Sequence, residues 1–405
     1  MTWTDREPLQ SHGGEGPNDD ACEHRPTCEP RPARRVHPQR GEFTEAEALA
    51  LLSTPDEDVF GLVHAGSRLR REHFGMTIKL NYLVNLRSGM CPESCTYCSQ
   101  SLGSTAEILK YSRLSSDEAM DQASPGIGGG ASRVCLVASG RGPSRRDVNR
   151  VGEIVERLKD ENPDGEVCAC LGILREGQAE SLKEAGADAY NHNINTAESF
   201  HDTIDKTHTY EDPANTFELA KTAGLSPCSG LIVGLGESDE QIIEALFAPK
   251  ALGSDSIPIN FLVPFDGTPL EGQWNLTPMQ CMKIVATARF VCPDREIRLA
   301  GGREIHLRSL QPMALQLANS IFLGDYLTAE GQAAADDLAM IRDNGFTILG
   351  QETGEGGDAR TDESAGGCGG AAGCCSYSQT TAEAATHTDP VIRRRGAGTA
   401  EVANA

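Results

Sequence analysis

Three cysteines lie within one short stretch of the chain, Cys91-Pro-Glu-Ser-Cys95-Thr-Tyr-Cys98. Thiolates this close together on one loop can bind the same metal centre. Tetrahedral zinc sites and cubane iron–sulfur clusters normally take four ligands. Because no further Cys or His follows nearby, this group is one ligand short. The spacing therefore predicts a metal centre with an open coordination position, where another molecule can bind.

A second set of candidate metal ligands is spread along the chain, on short apolar segments that are typical of strands. The set comprises Cys135, Cys168, Cys170, Cys228 and Arg298. Side chains alternate between the two faces of a strand, so each of these residues can point into a closed barrel. Cys168 and Cys170 are two residues apart and share a face, so geometry alone does not choose between them. Together these residues predict a second metal centre, and the alternative is that the thiols simply fill space.

Amide side chains are concentrated around two of the same apolar segments. Asn193 and Asn195 lie at the C-terminal end of one segment, and Asn260 lies within the otherwise apolar segment 257–263. Amides both donate and accept hydrogen bonds, so they suit a neutral, urea-like ligand, although an ordinary asparagine-rich loop is the alternative for the first pair. The glycine-rich turn 230–237, which includes Gly234, would allow a ligand close to the backbone, but such turns are common.

The elements that must position these residues follow a regular alternation. A first strand ends near Asn85, and the later predicted strands are 133–138, 166–173, 187–193, 227–233, 256–263, 296–300 and 320–323. The helical patterns between them include 147–159, 176–185, 214–223, 239–251 and 278–291. Eight strands that alternate with helices predict a parallel (β/α)8 barrel of the TIM type, with an open doubly wound sheet as the alternative.

The composition restricts the partners and the compartment. The chain of 405 residues has a formal net charge of −23. Nucleic acids and anionic membranes both need a basic footprint, so neither is expected as a partner. The sequence shows no apolar leader and no segment that resembles a membrane span, which predicts a cytoplasmic protein. In that reducing compartment, 14 cysteines indicate metal ligands or reactive thiols rather than disulfides.

Three regions are predicted from the composition along the chain. Residues 1–42 contain six prolines and few clustered apolar residues, which predicts a disordered N-terminal arm. Residues 43–349 contain the barrel. Residues 350–405 are rich in Gly, Ala, Ser and Thr, which predicts a flexible tail that carries Cys368, Cys374 and Cys375. Cys281 and Cys292, on or beside an apolar helix, are expected to be small buried hydrophobic residues.

The cysteine loop, with Tyr97 before its last Cys, resembles the signature of the radical S-adenosylmethionine superfamily. Within that superfamily, three longer motifs resemble the biotin synthase family. They are Tyr-Asn-His-Asn at 190–193, Cys-Ser-Gly-Leu-Ile-Val-Gly-Leu-Gly-Glu at 228–237 and Arg-Leu-Ala-Gly-Gly-Arg-Glu at 298–304. The resemblance covers about residues 77–349, and motifs of this length in this order make it highly specific.

This resemblance implies two iron–sulfur clusters. The implied ligands of a 4Fe–4S cluster, completed by S-adenosylmethionine, are Cys91, Cys95 and Cys98. The implied ligands of a sulfur-donating 2Fe–2S cluster are Cys135, Cys168, Cys228 and Arg298. The family pattern has the ligand four residues before Gly172, which selects Cys168 over Cys170. No side chain is expected to be a catalytic group, because the radical and the sulfur come from the cofactors.

The resemblance also implies contacts with S-adenosylmethionine and with dethiobiotin, the expected substrate. The implied binding residues are Tyr97, Asn193, Asn195, Gly234 and Asn260. Two positions depart from the family, because many relatives have an acidic residue in place of Asn195 and some have an arginine in place of Pro213. Proline cannot pair with a carboxylate, so the contact to the carboxylate of S-adenosylmethionine is unassigned.

The implied reaction converts dethiobiotin to biotin through a 5′-deoxyadenosyl radical. The implied partners are a flavodoxin- or ferredoxin-type electron donor, cluster-assembly proteins and a second copy of the chain in a homodimer. One rival hypothesis is a different radical enzyme of the same group, which the second set of cysteines with Arg298 argues against. The other is a non-catalytic iron–sulfur or zinc protein, which eight strand–helix repeats with polar groups at strand ends argue against.

Overall fold

A computed structural model describes residues 43–351 as a barrel of parallel strands surrounded by helices. The strands are β1 (Thr77–Arg87), β2 (Arg133–Ala138), β3 (Glu166–Cys170), β4 (Ala189–Asn191), β5 (Ser226–Cys228), β6 (Leu231–Val233), β7 (Ser256–Phe261), β8 (Glu296–Leu299), β9 (Ser320–Phe322) and β10 (Thr347–Ile348). The predicted disordered arm 1–42, and the predicted flexible tail from residue 352 onwards, lie outside the described residues.

The barrel closes because β1 pairs with both β2 and β9. The remaining strands follow in the order β3, β4, β5, β7 and β8, and every pairing is parallel. β6 also pairs with β7 and shares one barrel position with β5, while β10 adds to the start of β1. Eight strand positions in a closed ring confirm the predicted (β/α)8 barrel and exclude the open sheet.

A proline divides the fifth strand position in two. The sequence predicts one strand over 227–233, whereas the structure has β5 and β6 on either side of Ser229 and Gly230. Pro258, in the middle of β7, has no N–H to donate, so the ladder is interrupted there. Pairing with β7 occurs at Cys228 and resumes at Leu231. A Cβ on Gly230 would lie 2.2 Å from the carbonyl oxygen of Pro258, so the close approach also requires glycine.

Helices connect the strands and cover the outside of the barrel. They are α1 (Glu45–Leu52), α2 (Val59–Phe74), α3 (Ser116–Gly128), α4 (Arg145–Glu161), α5 (Gln178–Glu184), α6 (Glu198–Ile204), α7 (Glu211–Thr222), α8 (Asp239–Leu252), α9 (Pro278–Val291), α10 (Arg303–Leu307), α11 (Gln311–Ala314) and α12 (Ala334–Asp343). Capping boxes, in which a Ser or Thr bonds to a residue three positions later, start α1, α3, α4, α8 and α9. Within residues 43–351, no helix combines the length and the apolar character needed to cross a bilayer.

The helical patterns named above match α4, α5, α7, α8 and α9, whereas α2 and α3, which are of similar length to these, are not among them. Glycine and proline weaken the helical signal in α3, where Pro125 and Gly126 follow one another. Gly126 lets this helix approach β1, because a Cβ there would lie 2.1 Å from the ring of Tyr82. The stability of such a helix comes from packing against the barrel rather than from its own sequence.

Apolar side chains fill two regions, the shell between strands and helices and the lumen of the barrel. The shell takes the apolar face of each helix, for example Val148, Val151 and Val155 of α4. Cys281 and Cys292 are fully buried in this shell, which confirms their predicted role as small hydrophobic residues. A separate apolar group occupies the lumen, and it includes Cys135 and Cys168.

The buried Arg289 guanidinium ties the end of α9 to the strands beneath it. It donates to the carbonyl of Leu317 at 2.8 Å, the carbonyl of Arg295 at 2.9 Å and Oδ1 of Asn319 at 2.7 Å. We expect Arg289→Met to remove these buried hydrogen bonds, including those to the carbonyls of Leu317 and Arg295, and to lower the free energy of unfolding by about 3 kcal/mol. Urea unfolding of the cluster-free protein measures this loss. Arg68→Met, at an exposed position of α2, should change stability by less than about 0.5 kcal/mol, and equal losses would contradict the assignment.

Candidate functional site

One cavity of about 330 Å³ extends from the lumen to the loops that follow the strands. Its wall includes Cys98 from the loop after β1, Cys135 on β2 and Arg298 on β8. Asn193 and Asn260 line the same cavity. The carboxyl ends of barrel strands carry the active sites of this architecture, and the volume suits a small-molecule ligand. The structure therefore brings both predicted cysteine groups and the predicted amides to a single cavity.

The loop after β1 holds Cys91, Cys95 and Cys98 in a compact turn. The N–H of Cys91 donates to the carbonyl of Gln100 at 2.9 Å, and its carbonyl accepts from the N–H of Leu102 at 2.8 Å. The N–H of Cys98 donates to the carbonyl of Cys95 at 3.1 Å. All three cysteines are partly exposed, so a metal and a small molecule can reach them.

Backbone N–H groups converge on two of these thiols. The N–H groups of Glu93 and Gly140 are directed at Cys91, and that of Gln100 is directed at Cys98. Burial raises the pKa of both thiols, to about 11 for Cys98, while these donors act in the opposite direction by stabilising the thiolate. Thiolates bound to iron accept hydrogen bonds of this kind, so the donors suit a cluster site.

The third thiol contacts a carboxylate that sequence reasoning missed. Sγ of Cys95 lies 2.6 Å from Oδ2 of Asp205, and burial together with this carboxyl group raises the pKa of Cys95. Nδ1 of His208 lies 2.7 Å from Oε2 of Glu93, so the carboxylates form a network with His208. Arg141 pairs with Glu93 at 3.3 Å, which makes this an ion-pair network. No sequence signal could have found it, because about 110 residues separate its two halves.

The second predicted set meets inside the lumen. Cys135 and Cys168 are cross-strand neighbours on β2 and β3, and their thiols share a hydrogen bond that lowers the pKa of Cys135. Sγ of Cys228 accepts from Nδ2 of Asn191 at 3.1 Å. Nη1 of Arg298 lies 3.9 Å from the same sulfur. Three buried thiols and one guanidinium from four strands therefore surround one point of the lumen.

Cys170 lies nearer the cavity than Cys168 and has a different partner. Its Sγ donates to Oδ1 of Asn191 at 3.2 Å, and burial raises its pKa to about 12. Cys168 is fully buried and bonds to Cys135 instead. The two thiols on one face of β3 thus make separate contacts, and the choice of Cys168 as a ligand stays a prediction.

A buried charge network supports the guanidinium of Arg298. Arg298 pairs with Glu296, and Lys79 and Arg133 each lie 3.7 Å from the same carboxylate. Glu166 pairs with Lys79 at 2.7 Å and with Arg133 at 2.6 Å. Burial alone would raise the pKa of Glu296, but the three cations lower it well below its usual range. Glu296 therefore stays ionised and keeps Arg298 cationic in this structure.

The predicted amides already make hydrogen bonds with the backbone. Oδ1 of Asn193 accepts from the N–H of Gly230 at 2.9 Å. Asn260 bridges two segments, because its Nδ2 donates to the carbonyl of Leu231 at 3.1 Å and its Oδ1 accepts from the N–H of Gly301 at 3.0 Å. These bonds fix the orientation of both amides at the cavity wall.

The other predicted binding residues occupy different positions. Tyr97 and Asn195 line the cavity, and Asn195 has a φ of 64°, a left-handed conformation that asparagine tolerates. Gly234 is not part of the cavity wall. Gly234 has a φ of 94°, and a Cβ at this position would lie only 2.9 Å from Leu276. The turn itself therefore requires glycine here. Pro213 lies buried in the first turn of α7.

Comparisons with known proteins identify the family. The family described as "Radical SAM superfamily" matches residues 86–248, and the "Biotin and Thiamin Synthesis associated domain" matches residues 258–347. A biotin synthase of Nocardioides sp. is 61% identical over 365 residues, which cover 90% of this chain and 96% of that protein. A biotin synthase of Saccharopolyspora erythraea is 61% identical over 362 residues, which cover 89% and 95% respectively.

Solved structures share the fold at lower identity. Methylornithine synthase has a TM-score of 0.61 and 22% identity, over 70% of this chain and 83% of that chain. The FeFe-hydrogenase maturase of Carboxydothermus hydrogenoformans has a TM-score of 0.66 and 20% identity, over 76% of each chain. At this identity the similarity supports the barrel alone.

The two carboxylates of the charge network, Glu296 and Glu166, should contribute differently to stability. We expect Glu296→Gln to leave three buried cations with too little negative charge and to cost about 3–5 kcal/mol of stability. Glu166→Gln should cost about 1 kcal/mol, because solvent reaches 37% of that side chain. Thermal unfolding of both cluster-free variants measures the difference. A larger loss of stability in Glu166→Gln than in Glu296→Gln would mean that the burial of Glu296 does not determine the stability of the charge network.

Proposed function

The chain belongs to the biotin synthase family of radical S-adenosylmethionine enzymes, and from that premise we propose how its residues insert sulfur into dethiobiotin to give biotin. It is a sulfurtransferase whose cofactors are S-adenosylmethionine, a 4Fe–4S cluster and a 2Fe–2S cluster. One observation carries the proposal: a single cavity touches Cys98 of the surface loop as well as Cys135 and Arg298 of the lumen. A substrate in this cavity lies between the two proposed cluster sites.

We assign the 4Fe–4S cluster to Cys91, Cys95 and Cys98. The loop offers three partly exposed thiols, and N–H donors at two of them favour the thiolate form. Three protein ligands leave one iron of a cubane for S-adenosylmethionine. Tyr97 and Asn195 line the adjoining cavity wall and would orient its adenine and ribose.

We assign the 2Fe–2S cluster to Cys135, Cys168, Cys228 and Arg298. Sulfur ligands suit iron, and the buried lumen protects such a centre from water. Arg298 must give up a proton to bind iron, whereas its pairing with Glu296 favours the cation. When bound, the first cluster supplies the electron that cleaves S-adenosylmethionine, and the second supplies the sulfur atom.

The amides of the cavity wall would hold the ureido ring of dethiobiotin. Backbone groups occupy Oδ1 of Asn193 and both ends of Asn260, so the orientation of each amide is set before substrate binds. Each side-chain NH2 keeps at least one N–H that can donate to the ureido oxygen. A site with fixed donors lowers the entropy cost of orienting the substrate.

Apolar side chains in the same cavity would keep water away from the reactive carbons. Leu83, Val137 and Phe322 line the cavity on the side of β1, β2 and β9. Exclusion of water protects a carbon radical from side reactions. These apolar side chains would therefore keep the substrate in a dry environment between the two proposed cluster sites.

The proposal also includes the partners that the reaction needs. Each cleavage of S-adenosylmethionine consumes one electron, which we assign to a flavodoxin- or ferredoxin-type donor. Loss of sulfur from the second cluster requires cluster-assembly proteins to restore it. We further propose a homodimer in the cytoplasm, on the family resemblance alone.

Activity under anaerobic conditions tests the function. Cluster-loaded protein with S-adenosylmethionine and reduced flavodoxin should form 5′-deoxyadenosine faster when dethiobiotin is present, and biotin should appear. The variant with Cys91→Ala, Cys95→Ala and Cys98→Ala should form neither product. Formation of 5′-deoxyadenosine that does not respond to dethiobiotin would contradict the substrate assignment.

Two single-cysteine variants test the ligand choice on β3. Cys168→Ala should lose the visible absorbance of the 2Fe–2S cluster, because it removes a thiol that neighbours Cys135. Cys170→Ala should keep that absorbance, because its thiol bonds to Asn191 instead. Iron content and the absorbance spectrum are measured side by side on the two variants. The reverse pattern would assign the cluster to Cys170.

A further inference from the structure

Exposed apolar side chains are concentrated around the cysteine loop. Within residues 43–351 five large apolar side chains are exposed, and three of them are Met90, Leu102 and Leu109, with exposed fractions of 50%, 66% and 51%. The other two, Phe60 and Leu349, are distant in sequence from the loop. Clustered apolar side chains at a surface are typical of protein–protein contact sites.

Two of these side chains flank the first cysteine of the loop directly. Met90 precedes Cys91, and the N–H of Leu102 donates to the carbonyl of Cys91 at 2.8 Å. Met90 has a φ of 53°, a conformation that residues other than glycine rarely adopt. The loop thus places two exposed apolar residues, Met90 and Leu102, next to a proposed cluster ligand.

The third apolar side chain lies beside the same turn. Ser88 and Tyr111 exchange two backbone hydrogen bonds of 3.1 Å in an antiparallel bridge. Residues just after Ser88 therefore run alongside those just before Tyr111, which include Leu109 and Lys110. A Cβ on Gly89 would lie 2.8 Å from Cγ of Lys110, so the lysine side chain crosses this turn.

The two chain segments that adjoin these apolar side chains carry an excess of bases, although the whole chain is strongly acidic. Residues 87–113 and 139–150 together carry seven bases and three acids, in a chain with a net charge of −23. Arg113 pairs with Asp147 at 3.3 Å, which joins the two segments. Lys110, Arg145 and Arg146 are exposed and form no ion pair with any residue of 43–351.

We propose that Met90, Leu102, Leu109, Lys110, Arg145 and Arg146 form a docking surface for a small acidic electron carrier of the flavodoxin type. We call this surface the cysteine-loop face. The inference rests on the proposed function, because cleavage of S-adenosylmethionine requires an external electron. It adds to that function the side of the molecule from which the electron enters.

Charge complementarity favours an acidic electron carrier as the partner and the cysteine-loop face as its binding site. An acidic carrier is repelled by most of a chain with a net charge of −23 and attracted to a local excess of bases. Lys110, Arg145 and Arg146 have no ion-pair partner among residues 43–351 to lose when a carboxylate of the carrier approaches. The apolar centre suits the dimethylbenzene edge of a flavin, which is the apolar part of that cofactor.

The electron path from this face is short. Electron tunnelling falls steeply with distance, so a donor has to bind at the surface nearest a cluster ligand. Met90 and Leu102 are joined to Cys91 by one peptide bond and one hydrogen bond respectively. Each carrier molecule gives up one electron and becomes oxidised by one electron, and S-adenosylmethionine is cleaved once for each electron received.

Charge reversal tests the docking surface by binding as well as by turnover. In Lys110→Glu/Arg145→Glu/Arg146→Glu, the Kd of the holoenzyme for oxidised flavodoxin should rise at least tenfold, as measured by calorimetry at low salt. The Kd of the unaltered protein should rise steeply between 50 and 300 mM salt, since steering depends on ionic strength (about 8–10 Å screening length at physiological salt). Leu102→Gln should weaken binding about threefold without changing the salt dependence.

Dithionite provides the matching control for turnover, because this small reductant needs no docking surface. The charge-reversal variant should form 5′-deoxyadenosine at an unchanged rate with dithionite and at least tenfold more slowly with reduced flavodoxin. Lys183→Glu/Arg342→Glu, in the last turns of α5 and α12, reverses two exposed charges at the opposite end of the barrel and should bind flavodoxin normally. If no variant forms product with either reductant, the proposed function fails, while the binding measurement still decides the docking surface.

Several outcomes would overturn the docking proposal. Flavodoxin binding that is unchanged within twofold in the charge-reversal variant, or that does not respond to salt, would exclude this face. A ferredoxin that binds here while flavodoxin does not would overturn the choice of carrier. A change in the sedimentation of the variant, with unchanged flavodoxin affinity, would assign the face to a second copy of the chain.

Discussion

The site in the lumen depends on the balance of buried charge around Glu296. Lys79, Arg133 and Arg298 place three cations inside the barrel, beside buried apolar side chains and thiols. A cation in such surroundings is unfavourable unless an anion pairs with it. Glu296 and Glu166 supply that charge from the starts of β8 and β3. The three lumen thiols can therefore lie beside a guanidinium only because these carboxylates are present.

Closure of the barrel brings the residues of the lumen together into a single site. Parallel strands place residues from distant parts of the sequence side by side, as with Cys135 and Cys168 or Asn191 and Cys228. Inward-facing residues of neighbouring strands then share one lumen. The lumen group needs rigid strands, whereas the surface loop is held by its own hydrogen bonds and by its contacts with the segment around Asp205 and His208. The two cysteine groups thus depend on different parts of the fold.

The sequence predicts most of the fold because the periodicities of strands and helices are local signals. The division of the fifth strand was readable in principle, since Pro258 cannot donate to a ladder. α3 was not predictable in the same way, because Pro125 and Gly126 weaken the helical signal in its sequence. Packing against Tyr82 stabilises this helix instead. Asp205 could not be found either, since only the folded chain brings it to Cys95. For Cys168 and Cys170, strand alternation gives both the same face; the family pattern favours Cys168, and in the structure the two thiols have different hydrogen-bond partners.

The cysteine loop lines the cavity through Cys98 and adjoins exposed apolar side chains at Cys91. Cys98 lines the cavity, on the side where the amides of Asn193 and Asn260 would hold a substrate. Cys91, by contrast, does not line that cavity; it follows Met90 and accepts a backbone hydrogen bond from Leu102, and both of those side chains are exposed. A protein partner that approached through the cavity mouth would have to displace the substrate, whereas one that approached the outer face would not. In the proposed arrangement, electron supply and substrate binding would therefore use different parts of the same eight-residue loop.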